Sequence, residues 1–147
     1  DLDELKKIND RFGHHAGDEA ILLLAQVIRK AVRTSDISAR LGGDEFGIAM
    51  PDADLGHAAE IVTRVQGALR EQNLSGATPH NLELSFGLAE WQPGQEYAEL
   101  FEVADRNLYR DKRRHMARRA RQIALDGKLE SSKTPSPSTS SPATPSR

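Results

Sequence analysis

Apolar residues recur along this chain with two periods, and the two periods mark out its elements. From Asp18 to about Val32, Ile21, Leu24, Ala25 and Ile28 fall on one face at helical spacing, which predicts an amphipathic helix. A second helix is predicted from Leu55 to about Arg70, with Ala58, Ile61, Val62, Val65 and Leu69 inward. A long last helix runs from Leu100 to about Ile123, amphipathic in its first part through Leu100, Phe101, Ala104 and Leu108. Ile37 to Leu41 and Phe46 to Met50 are short apolar runs around Gly42-Gly43-Asp44-Glu45, the pattern of a β-hairpin with a glycine-permitted turn. Leu82 to Ala89 reads as a further strand, closed by the turn at Pro93-Gly94. Strands interleaved with helices predict a mixed α/β (α+β) domain, a sheet with helices packed on it.

The periodicity stops before the chain does. From Ser131 onward Ser, Thr and Pro dominate the sequence, with no apolar residue larger than one alanine. Proline there blocks helix and central strand alike, and the composition predicts a disordered tail. The expected organisation is one folded domain over residues 1–125 and a tail over 126–147. A chain of 147 residues has room for one domain and little more.

Composition removes whole classes of chemistry. There is no cysteine, so disulfide frameworks, thiolate zinc sites and cysteine nucleophiles are excluded. The longest apolar stretch, Ala20 to Ala25, is far too short to span a bilayer. Charge is unevenly spread: residues 1–104 carry 9 Lys/Arg against 18 Asp/Glu, and residues 105–147 carry 11 against 4. That asymmetry suits a phosphate ligand bridged to the protein by a metal, although counting alone favours a solvated charged helix. The basic run Arg118-Arg119-Ala120-Arg121 lacks interleaved aromatics, which argues against nucleic-acid binding.

Two segments carry candidate chemistry. At Asp1-Leu2-Asp3, acids alternating with an apolar residue suit the end of a strand, where carboxylates can hold Mg²⁺. An acidic helix N-terminus would look the same. Arg40-Leu41-Gly42-Gly43-Asp44-Glu45-Phe46 is more telling, because a hairpin needs glycine but gains nothing from two adjacent acids that repel. A metal or a proton acceptor explains them.

Together with Lys6, Asn9-Asp10, Gly13-His14 and Gly17-Asp18, these segments resemble the GGDEF family of diguanylate cyclases. Leu84-Ser85-Phe86-Gly87 is similar to the family's Ser-x-Gly strand, and Ala104-Asp105-x-x-Leu108-Tyr109-x-x-Lys112 to its late helix. The blocks stand in family order over roughly residues 1 to 112. The resemblance implies a nucleotide-cyclase or polymerase-palm-like fold with a central, mostly antiparallel sheet.

It also implies roles. Asp1 and Asp44 would hold Mg²⁺ (or Mn²⁺), helped by the carbonyl of Leu2, and Glu45 would be a second catalytic acid beside Asp44. Gly42 and Gly43 would make room for GTP phosphates, Asn9 and Asp18 would read the guanine edge, and Lys6 and Lys112 would meet the triphosphate. His14 would support the loop between Asn9 and Asp18. Arg33-Thr34-Ser35-Asp36 has the Arg-x-x-Asp pattern of an inhibitory cyclic di-GMP site, with Arg64 as an added partner. A helix end followed by a turn-forming Asp36 would give the same four residues.

The implied function is a diguanylate cyclase: a homodimer that condenses two GTP into cyclic di-GMP and two pyrophosphates, with product inhibition. The alternative is an inactive module that binds GTP or cyclic di-GMP as a receptor. Both ligands occur inside the cell, so the cytoplasm is the expected location, with no membrane contact from this segment even if the parent protein is anchored. Three departures stand out. The family's apolar strand before Asp-x-Asp has no counterpart, which predicts an N-terminally truncated fragment. Gly-Arg-Asn after the late lysine is replaced, with Met116 at the arginine position after Arg113-Arg114-His115. Leu5 stands where phenylalanine is preferred, an apolar exchange of little consequence.

Overall fold

The computed structural model describes residues 1–131, with side chains to residue 126. The tail expected over 126–147 lies, from residue 132 on, outside the described residues. The element order is α1 (Leu5–Phe12), α2 (His14–Ala31), β1 (Ile37–Arg40), β2 (Phe46–Ala49), α3 (Leu55–Ser75) and α4 (Tyr97–Ser131). Residues 1–115 form one compact unit, and α4 continues from Met116 in a second.

The helices follow the apolar stripes. In α2 the buried residues are Gly17, Ala20, Ile21, Leu24, Val27, Ile28 and Ala31, and in α3 they are Ala58, Ile61, Val65 and Leu69. These two stripes, with Leu2, Ile8, Leu82 and Leu84, make one core. Asp54 starts α3 by accepting the His57 N–H at 2.8 Å, and Gly76 ends it at φ +67°, a left-handed cap that glycine adopts without a Cβ clash. The helices outrun their predicted ends: α2 begins at His14 rather than Asp18, α3 reaches Ser75, and α4 spans more than Leu100 to Ile123.

The hairpin forms as expected, β1 and β2 pairing antiparallel with Arg40 opposite Phe46 and Ile37 opposite Ala49. One element is added and one expectation needs correction. Leu5–Phe12 is a helix that the periodicity does not announce, its apolar Leu5, Ile8 and Phe12 spread over barely two turns. Leu82–Ala89 is not a ladder strand among the described residues; it meets Leu2 in a single antiparallel bridge at Leu84. Its backbone groups are taken by the chain start, through Asp3 N–H on Glu83 O at 2.9 Å and Ser85 N–H on Asp1 O at 3.0 Å, and by the Asn73 side chain, which takes both backbone groups of Leu82 at 2.9 Å each.

That bridge puts Leu2 at the centre of the site. Leu2 is fully buried, donates its N–H to the carbonyl of Asp44 at 3.0 Å, and faces Leu84 on its other side. Gly87 then lets the following segment press on α4. A Cβ there would lie 2.0 Å from the Ala104 carbonyl and 2.8 Å from Leu108, so the family's Ser-x-Gly glycine is a close-approach residue. Asn107 donates to the Leu88 carbonyl at 2.8 Å and locks the contact.

Candidate functional site

Three distant segments meet around Leu2. The chain start, the turn between β1 and β2, and the face of α4 near Lys112 come together because Leu2 bonds Asp44 and Gly87 seats α4. Asp1 is 4% exposed in its side chain, and its Oδ2 accepts from the Lys112 ammonium at 2.9 Å. Burial first, and Lys112 next, push the Asp1 α-amino group below its ordinary value, while Asp3, Asp44 and Glu45 pull it back up. Lys112 and three acids, Asp3, Asp44 and Glu45, are thus within electrostatic reach of the Asp1 backbone nitrogen. Lys112, expected on the triphosphate, sits on Asp1 here.

The two acids of Asp1-Leu2-Asp3 are used differently. Asp3 accepts the Ser85 hydroxyl on Oδ1 at 2.8 Å and faces His115 Nδ1 through Oδ2 at 2.8 Å. On the far side of the ring, His115 Nε2 is 3.9 Å from Asp111 Oδ2, the oxygen that accepts the Phe86 N–H at 3.0 Å. Asp3, Glu83 and His115 bring three ligand-type atoms within 4.8 Å, but Asp3 and His115 already satisfy each other. Asp1, the Leu2 carbonyl and Asp44 are oxygen donors of the type Mg²⁺ takes, and the Leu2 N–H bond to Asp44 O holds their segments side by side.

The glycines of the turn behave differently from expectation. Neither Gly42 nor Gly43 has a positive φ, so backbone freedom is not what requires glycine. The turn is held by other means: Leu41 N–H on Glu45 O at 2.9 Å, and the Arg40 guanidinium on Gly43 O at 2.8 and 3.1 Å. A Cβ on Gly43 would meet nothing, and one on Gly42 only Glu45 Oε2 at 3.6 Å. What these positions leave is open space beside Asp44 and Glu45.

At the other end of α1, the Asn9 amide lies flat against Gly17. A Cβ at residue 17 would stand 1.9 Å from Asn9 Oδ1, and that oxygen is buried without a hydrogen-bond partner. An unmet acceptor held this tightly suits a ligand donor. Asp18 follows Gly17 and is exposed, as is Lys6 on α1. Gly13, at φ +88°, ends α1 by donating to Asn9 O and opens α2 at His14, which is exposed.

The second cluster lies elsewhere. Arg33 and Arg64 line one open cavity of ≈ 580 Å³ with His57, Glu60 and Thr63. Asp36 is not part of its lining. Its carboxylate accepts the Arg33 N–H at 2.7 Å and the turn closes with Asp36 N–H on Arg33 O at 3.1 Å. Asp36 thus shapes the loop that presents Arg33.

The sequence profile described as "Diguanylate cyclase, GGDEF domain" matches residues 1–118. The chain belongs to this family. Diguanylate cyclase DosC of Escherichia coli (strain K12) is 35% identical over 116 residues, 78% of this chain and 25% of that protein. Diguanylate cyclase DgcP of Pseudomonas aeruginosa is 34% identical over 114 residues, 77% of this chain and 17% of that protein. The chain thus spans a quarter or less of these relatives. Among solved structures, the GGDEF domain of DgcB from Caulobacter crescentus in complex with cyclic di-GMP superposes with a TM-score of 0.70 at 29% identity, over 77% of this chain and 68% of that one. Diguanylate cyclase SiaD of Pseudomonas aeruginosa, in complex with its activator SiaC, gives 0.69 at 29% identity, over 77% and 44%. The palm-like α+β fold is therefore that of GGDEF cyclase domains, with a small antiparallel sheet. No helix among the described residues is long and apolar enough to cross a membrane.

Within this GGDEF domain, the residues that sequence reasoning passed over are Asp3 as a buried acceptor, Ser85, Asp111, His115 and His57. Ser85 carried a signal in its Ser-x-Gly motif and Asp3 in the Asp1-Leu2-Asp3 alternation; Asp111, His115 and His57 carried none. Arg113, three residues before Met116, lies over the Tyr109 ring at 6.0 Å. Met116 is 64% exposed.

Proposed function

We propose that this GGDEF domain condenses two GTP molecules into cyclic di-GMP. The observation that carries the reading is the Leu2 N–H bond to Asp44 O at 3.0 Å, which sets the Asp1 segment edge to edge with the Gly42-Gly43-Asp44-Glu45 turn. Asp1, Leu2 and Asp44 would hold Mg²⁺ or Mn²⁺, which would neutralise phosphate charge and make the attacking hydroxyl more acidic. Glu45, exposed beside Asp44, would accept the proton released by a 3′-hydroxyl. That oxygen forms a bond to the α-phosphorus of the other nucleotide as the bond to pyrophosphate breaks. The step occurs twice per product. The space over Gly42 and Gly43 would take the phosphates, Lys6 and Lys112 would offset their charge, and Asn9 and Asp18 would select guanine.

Each domain holds one nucleotide in this scheme, so two copies must face each other and the active form is a homodimer. Arg33 and Arg64 would grip cyclic di-GMP as a feedback inhibitor, their guanidinium groups matching phosphate oxygens or a guanine acceptor edge. Cytoplasmic placement follows from where GTP is.

The test is GTP turnover with Mg²⁺, followed by mass spectrometry on the whole gene product, with Asp44→Asn beside it. Cyclic di-GMP from the parent and none from the variant is the expected result. Both proteins should still bind cyclic di-GMP at Arg33. A folded, dimeric parent that makes no product overturns catalysis and leaves the receptor reading.

A further inference from the structure

We infer that His115 is a positioning residue for this site, fixing the turn of α4 that holds Lys112 on Asp1. The inference rests on the cyclase reading for its main readout. Asp3 is nearly buried, with 8% of its side chain exposed, and needs a donor on each oxygen. Ser85 supplies one at 2.8 Å and His115 the other at 2.8 Å. Ser85 is itself fully buried and stands 3.3 Å from the same imidazole nitrogen, so the three groups form a closed triangle. The opposite ring nitrogen faces Asp111, whose carboxylate is already tied to the Phe86 N–H.

His115 therefore joins the chain start, the Leu84–Phe86 segment and α4. Lys112 lies three residues earlier on the same helical face, one residue after Asp111. Fixing residues 111 and 115 fixes the stretch between them, and with it the ammonium 2.9 Å from Asp1 Oδ2. Asp3 is committed to Ser85 and His115, whereas Asp1 faces Lys112. His115 stands where the resemblance places a glycine, which has no side chain to reach Asp3. With Met116 in place of arginine, Lys112 is the cation the structure puts on Asp1, so its placement matters more here.

The experiment compares the whole gene product with His115→Ala and His115→Asn, the asparagine keeping an N–H donor near the position of Nδ1. Cyclic di-GMP synthesis is measured against GTP concentration, with a thermal melt for each protein. Loss of a group that orients a site residue lowers activity by about 10-fold at the mild end. We expect that loss in kcat for His115→Ala with KM for GTP raised beside it, and His115→Asn returning most of both. A purely structural role would lower the melting temperature without the kcat loss or the rescue. Wild-type kcat in His115→Ala, or no rescue by asparagine, overturns the inference. If the alanine protein does not fold, His115→Phe fills the space without a donor, and full turnover there overturns it equally. If the parent makes no product, the cyclase reading has failed separately. Mg²⁺-dependent GTP binding then decides: weakened in alanine and restored in asparagine supports the role of His115, and equal affinity across the series overturns it.

Discussion

The acidic site and the arginine cavity are built on opposite plans. Around Leu2, side chains from both ends of the domain are joined by short bonds, with Asp1 and Asp3 at 4% and 8% exposure and Ser85 fully buried. Around Arg33, an exposed helix end and one face of α3 border an open cavity, and the polar contact across it is long: Arg33 Nη2 stands 3.4 Å from His57 Nδ1. The first site shares its residues with the core. The second merely rests on two helices that would stand without it. Chemistry that must align several charged groups needs the first plan, whereas a site that only captures a ligand can use the second.

The sharpest way to break this contrast is Leu2→Ala. Leu2 has no exposed surface and its backbone carries the Asp44 bond, so truncation should cost about 2–5 kcal/mol in a denaturant melt. Turnover should fall with stability, because the cavity opens beneath the acids themselves. A stable Leu2→Ala protein with normal turnover would show that the acidic site is not wired to the core. Gly17→Ala should do less. Its Cβ would stand 1.9 Å from Asn9 Oδ1 and 3.2 Å from Leu5 Cδ1, an overpacking worth about 1–3 kcal/mol if the amide cannot swing clear. A swing of the amide relieves the clash but spoils guanine reading. We expect KM for GTP to rise more than stability falls, measured by steady-state kinetics beside a thermal melt.

What the amino-acid sequence made legible follows the same division. The stripes of α2 and α3 and the β1–β2 hairpin repeat a local period, and a local period can be read from the order of residues alone. Paired acids after two glycines are likewise a local oddity. By contrast, His115 meets Asp3 across 112 residues, and nothing in the basic run around it announces a partner. The apolar alternation of Leu82, Leu84 and Phe86 correctly reports a buried face, yet it could not show that Asn73 and Leu2 replace neighbouring strands. Helix α1 escaped because eight residues give too few turns for a stripe to emerge from its charged surroundings. The glycines of the turn were legible for one of two reasons: neither has a positive φ, so backbone freedom is not what they supply, but the expected space beside the acids is there.

The mildest change sharpens the contrast from the other side. Arg33 and Arg64 are exposed and line the cavity, and Arg33 shares it with the half-buried His57 ring, which also lies 3.7 Å from Glu60. Removing the Arg64 side chain takes nothing from the core formed by Ile61 and Val65 on the buried face of the same helix. Arg64→Ala should therefore leave stability within about 0.5 kcal/mol, as surface changes usually do. Losing one charge-assisted contact to a bound anion corresponds to roughly 1.5–3 kcal/mol, so cyclic di-GMP should bind at least about 10-fold more weakly. Turnover without added product should be unchanged, since no residue of this cavity reaches the acids. Titration calorimetry with cyclic di-GMP reads the first effect and initial rates the second. If Arg64→Ala lowered the initial rate while binding stayed intact, the two sites would be coupled through α3 and the separation drawn between them would fail.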